Sequence, residues 1–206
     1  MKIPLQYQRS EYDCGPTALL NAVSFLFSRE DIPPDLLKYV MMYSLDTFDS
    51  RGEACKEGTS QMAMMFLCNW MNRYAKIGKL PISSAFLCGE QVQVHENSEI
   101  ISALQQGGAV VLRLWYGCGH YVTLTGISGD SVLLFDPYFR RQPFRHEGIT
   151  TIKNKPCAAN RRVNFAVFSQ PGKQPYALEE LEKREAVILF NTVTRKTPER
   201  TIEYFL

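Results

Sequence analysis

A chain of 206 residues with 45% apolar side chains is long enough for one domain with a substantial core. Its 23 basic and 21 acidic residues leave a formal net charge of +2, which gives no case for nucleic acid or an anionic membrane surface as an obligatory partner. No apolar run reaches the roughly 18 residues of a membrane span, and the opening MKIPLQYQRSEYD lacks the apolar segment of a secretory signal, so a cytoplasmic location is expected.

In chain order, Cys14 to Phe27 reads as a helix. Leu19, Ala22, Val23, Leu26 and Phe27 form one apolar stripe, and Gly15-Pro16 suits a first turn where a missing N–H costs nothing. IPPDLLKYVMMYSLD is a second, shorter helix with proline at its start. Thr59 or Ser60 caps a third, Gln61 to Ile77, whose expected buried stripe is Ala63, Phe66, Leu67, Trp70, Met71 and Tyr74. Ser98 to Gln106 is a fourth helix, capped by Ser98 and stopped by Gly107-Gly108. The pattern then changes. AVVLRLW, HYVTLTGI, SVLLFDP, NFAVFS and AVILFNTVT are rich in β-branched and apolar residues and read as strands. SQPGKQPYALEELEKRE has the chemistry of a turn before a C-terminal helix and strand. Helices first and strands second predict an α+β fold with an antiparallel sheet rather than a doubly wound one. One domain over 1–206 is expected, with its core motifs in 5–170 and an extension, 171–206, packed on the same domain.

The six cysteines, Cys14, Cys55, Cys68, Cys88, Cys118 and Cys157, are scattered and form no CxxC. They read as reduced thiols. Cys118 and His120 lack a second pair of ligands, so neither a zinc ion nor any other cofactor is expected.

Cys14 stands where a helix begins. A thiol there meets the positive end of the helix dipole and free N–H groups, both of which favour the nucleophilic thiolate. The adjacent carboxylate of Asp13 opposes this. A buried, inert cysteine is the commoner case, so Cys14 needs a base, an orienter for that base and an oxyanion donor before it signifies anything. Of three histidines, His95 and His146 lie in polar connections. His120 follows Gly117-Cys118-Gly119 and opens a core strand, a position suited to facing a cleft. A three-residue hairpin loop, Ser128–Asp130, places Ile127 opposite Ser131 and Val122 opposite Asp136. His120 then shares a face with Asp136, while a two-residue loop would split them to opposite faces. In the first register Asp136 is positioned to hold the imidazole. Gln8, six residues before Cys14, is a candidate to donate an amide N–H to an oxyanion, with the Cys14 N–H as second donor.

Taken together, QRSEYDCGPTALLN from Gln8, GHYVTLTGI and LLFDPY resemble the bacteriocin-processing cysteine peptidases, a papain-like family best known for removing leaders after a double glycine. The resemblance covers Leu5 to Tyr138 and extends to EGTSQMAMMF and IISALQQGGAVVLRLW. It implies a papain-like fold of N-terminal helices packed on a C-terminal antiparallel sheet, and it makes Cys14 the nucleophile, His120 the base, Asp136 its orienter and Gln8 the oxyanion donor. The expected activity is cleavage of a peptide or amide bond through a thioester. A cysteine acyltransferase passing the acyl group to an amine or thiol is the alternative, and a non-catalytic peptide-binding domain the second. Leader-processing members are usually fused to a transporter. This chain has no membrane helix and no GxxxxGK[ST], so double-glycine cleavage is not implied.

Overall fold

In the computed structural model, which describes residues 1–197, the first helix runs Cys14–Leu26 (α1), and Phe27 leaves it in an extended conformation. Helix α2 is Pro34–Ser44, with proline in its first turn. Helix α3, Gln61–Lys76, begins on Ser60, whose hydroxyl accepts the Ala63 N–H at 3.1 Å. Its buried face differs from the expected one: Met64 and Cys68 are inside, whereas Phe66 is 48% exposed and Trp70 only half-buried. The stripe is turned because α3 packs on the first strand, where Ser84 Oγ donates to the Cys68 carbonyl at 2.8 Å. Helix α4, Glu99–Gln105, is capped by Ser98, whose hydroxyl accepts the Ile101 N–H, and it stops where Gly107 takes φ +80°.

Among the described residues seven strands form one sheet: β1 Ile82–Cys88, β2 Ala109–Trp115, β3 Gly119–Ser128, β4 Ser131–Phe135, β5 Ile149–Thr151, β6 Arg161–Asn164 and β7 Glu185–Asn191. Their order is β1-β7-β2-β3-β4-β6-β5, and each neighbouring pair is antiparallel. The fold is α+β, as the order of elements predicts. Strand β7 lies inside the sheet, between β1 and β2. Along β2, Val110, Leu112 and Leu114 enter one core, while Ala109 and Val111 enter the other, beneath α1, α2 and α3. Burial on both faces is why this strand reads as an unbroken apolar run.

Three further expectations are corrected. NFAVFS is not a strand: Asn164 ends β6 and caps a short helix, α5 Phe165–Phe168, by accepting the Ala166 N–H at 2.9 Å. A four-residue apolar run carries no period, and the cap decides it. The C-terminal helix is only one 3₁₀ turn, Leu181–Lys183, because the chain must be extended and buried from Glu185 onward. The β3–β4 loop has two residues, not three, so Ile127 pairs with Val132 and Ser128 with Ser131. Gly129 supplies the turn with φ +62°. A bulge at Thr125 then shifts the register by one, and Leu124 pairs with Leu134 and Thr123 with Phe135. Beyond the bulge the alignment is therefore the one that brings His120 to the face of Asp136. No helix among the described residues is long and apolar enough to cross a membrane.

Candidate active site

Cys14 is the first residue of α1 and is 8% exposed. Pro16 has no N–H, and that of Thr17 goes to the Asp13 carbonyl at 3.1 Å, so the N–H groups of Cys14 and Gly15 are the donors left at the helix opening. Gly15 is required by contact: a Cβ there would lie 2.3 Å from Thr59 Oγ1. The Asp13 carboxylate is engaged by the loop before it. Its carboxylate accepts the Arg9 N–H at 3.0 Å, and the Ser10 N–H and hydroxyl each at 2.8 Å. Burial works against its charge, but these bonds win and hold the carboxyl below its ordinary value. Asp13 is a staple for the loop that carries Gln8.

His120, 5% exposed, stands second in β3, with Nε2 2.8 Å from Asp136 Oδ1. Asp136 follows β4 and is held on every side. Oδ1 also accepts the Tyr138 N–H at 2.8 Å, Oδ2 accepts the Tyr176 hydroxyl, and the backbone N–H and carbonyl are both bonded to the Asn160 side chain at 2.8 Å. Burial penalises both charges. In His120 the Asp136 bond and the neighbouring Cys14 thiol outweigh that penalty and raise the imidazole to about 10. In Asp136, desolvation is likewise overcome by the His120 bond, and the carboxyl is lowered. With Nε2 committed to Asp136, Nδ1 is the ring nitrogen left for Cys14.

Tyr176 carries no signal in the sequence, where it sits in a proline-rich turn. It is fully buried, at φ +67°, and burial followed by the Asp136 charge pushes its hydroxyl well above the ordinary tyrosine value, so it stays a donor. The ring of Tyr116 lies 5.8 Å from that of His120 and 5.7 Å from that of Tyr176, forming an apolar wall behind the imidazole.

Gln8 is placed differently from the other three. Its backbone N–H donates to the Pro137 carbonyl at 2.9 Å and its Nε2 to the Ser10 carbonyl at 2.8 Å, while Oε1 is buried without a partner. No hydrogen bond joins it to Cys14. His95 bonds to Gln93 and His146 to the Glu147 carbonyl, and neither approaches the site. Cys14 and His120 line one cleft of about 440 Å³ together with Thr59, Arg113, Cys118 and Tyr121. All six cysteines are free, and burial pushes the Cys68 thiol up.

This geometry is one for taking a proton from Sγ, holding it on an imidazolium and returning it. No curated protein matches the chain. Its fold is similar to that of a crystal structure of a candidate C39-like peptidase from Bacillus anthracis, at 14% identity and a TM-score of 0.50 over 90% of this chain and 94% of that one. The model of the Peptidase_C39-like family matches residues 1–155. Three quarters of the sequence and the fold thus agree, and the chain belongs to the Peptidase_C39-like family.

Proposed function

We propose that the protein is a cysteine peptidase or amidase that cleaves a peptide or amide bond through a thioester on Cys14. The observation that carries this reading is the meeting of Cys14 with the buried His120–Asp136 pair, from elements far apart in the chain. His120 Nδ1 takes the Sγ proton, and Asp136 stabilises the imidazolium that results. Sγ attacks the scissile carbonyl. The oxyanion that develops is met by the Cys14 N–H and by an N–H of Gln8, whose amide nitrogen has a second hydrogen beyond the one given to Ser10. The tetrahedral intermediate collapses as the imidazolium protonates the departing amine. Water, deprotonated by His120, then releases the acid and frees Sγ.

The test is intact mass spectrometry after incubation with an irreversible thiol-directed peptide electrophile, followed by peptide mapping. One adduct on Cys14 is expected, and none in His120→Ala. Cys118 lines the same cleft and serves as the internal control. Equal labelling of Cys14 and Cys118 would remove the basis for the reading. Turnover of an amide substrate with and without an added amine acceptor then separates hydrolysis from acyl transfer.

A further inference from the structure

From Phe139 to Arg162 the chain carries seven Lys or Arg and one Glu, in a protein whose net charge is only +2. Part of this excess converges on a pocket of about 510 Å³, between the segment and the N-terminal residues. Arg140, Arg141, Lys153 and Arg161 line it, and no carboxylate does. Among the described residues, none of the four belongs to an ion pair.

Arg161 is the unusual member. It is 4% exposed, yet its guanidinium has no ion-pair partner among the described residues. Nη1 donates to the Asn160 carbonyl at 2.8 Å, the group lies 5.5 Å from the centre of the Phe144 ring, and Nε is buried with no acceptor. A buried cation left in this state is costly, and an entering carboxylate would supply both the charge and the acceptor. Apart from Thr151 and Asn160, the rest of the lining is apolar or aromatic. The rings of Tyr7 and Phe139 are 41% and 59% exposed, and their centroids lie 5.2 Å apart in an edge contact.

We propose that this pocket binds an acidic, partly apolar peptide segment, its carboxylates on the four basic side chains and its apolar side chains on Tyr7 and Phe139. The choice of a peptide rests on the peptidase reading. The pocket shares a wall with the site: Tyr7 precedes Gln8, Phe139 follows Asp136 by three residues, and the Gln8 N–H bonds to the Pro137 carbonyl at 2.9 Å. A peptide longer than the cleft is the ligand that reaches both. Nucleic acid fits less well, because the basic groups converge on one pocket and the remaining chain is net acidic.

The test uses Cys14→Ala protein and fluorescence anisotropy. The probe is a short labelled peptide alternating glutamate with leucine and phenylalanine, and its glutamine counterpart is the control. The glutamate peptide should bind about tenfold tighter or better than the glutamine one, and more weakly as salt is raised. Arg141→Gln combined with Lys153→Gln, both exposed and outside the catalytic machinery, should remove about tenfold of that affinity without moving the thermal melt. Equal binding of the two peptides, an unaffected double variant, tighter binding of oligothymidylate, or displacement by inorganic phosphate as efficient as by unlabelled glutamate peptide would each overturn the proposal. The measurement needs no turnover, so its failure leaves labelling of Cys14 in the parent protein untouched, and a failure of that labelling leaves this binding intact.

Discussion

The two sides of the cleft are built to opposite rules. On the side of His120 and Asp136 every polar atom of the carboxylate is engaged, and the pair is sealed by Tyr116 and Tyr176. On the side of Cys14 bonding is incomplete: Gln8 Oε1 and Thr59 Oγ1 are buried without partners, and the N–H groups at the helix opening have no acceptor. The saturated side must hold one proton in one geometry. The unsaturated side faces a cleft, and the N–H groups of Cys14 and Gly15, unlike the acceptor Gln8 Oε1, are the donors that the proposed oxyanion would use. Rigidity and unmet bonding capacity are thus divided between the two walls of one cleft.

The comparison breaks most severely at His120. His120→Ala should lower acylation of Cys14 by about 10⁴-fold, because the buried histidine base of the cleft is gone. Rates of adduct formation by mass spectrometry measure this, and a rate near that of the parent protein would dissolve the contrast. Gln8→Ala probes the other wall. A loss of about 10²–10³ in turnover with an unchanged melting curve is expected of an oxyanion donor. A normal rate, or a chain that simply unfolds, would make Gln8 a strut like Asp13.

Asp136→Asn should be milder, about 10²-fold or less, since an asparagine oxygen still accepts from Nε2 while its amide replaces one charge. This variant also sharpens the pH behaviour. Folded His120 is raised to about 10 from an ordinary 6.5, so the folded state keeps its proton longer. The stability this provides is complete below about pH 6.5 and is lost as pH rises towards 10. Urea unfolding across that window should show the decline in the parent protein and flatten in Asp136→Asn. The carboxyl gives the opposite edge, since its lowered value stabilises the fold above the ordinary carboxylate range and the benefit is lost as pH falls. Tyr176→Phe should have the smallest effect on rate, a few-fold, while costing about 1–3 kcal/mol of stability for the donor removed from Asp136. A much larger loss of rate at unchanged stability would show that the saturated wall tunes the chemistry rather than merely holding it.

Much of this was legible in the residues. Helix α1 and its cysteine announced themselves because period, proline and glycine agreed, and Ser60 and Ser98 cap the helices they were expected to cap. The joining of His120 to Asp136 was legible only by compensation. The hairpin loop is one residue shorter than the pattern suggested, and the Thr125 bulge restores the alignment, its hydroxyl bonded to the Ala158 carbonyl at 2.8 Å. A bulge is set by such tertiary contacts, so no local pattern could have named it. Tyr176 was invisible for the same reason: its role depends on a contact 40 residues away in the chain. The placement of Gln8 against Pro137 likewise depends on a residue far along the chain, whereas the Asn164 cap is a local bond to Ala166 that the apolar run after it masked.

The position of β7 has a consequence in time. A ribosome delivers Cys14, His120 and Asp136 well before Glu185–Asn191, yet that segment is the one that fits between β1 and β2. Until it emerges, β1 has no strand partner and β2 is an open edge of the sheet, and Tyr176, the donor to Asp136, has only just been added. Cys14 is therefore carried through most of the chain's synthesis before β7 closes the sheet against which α1 packs.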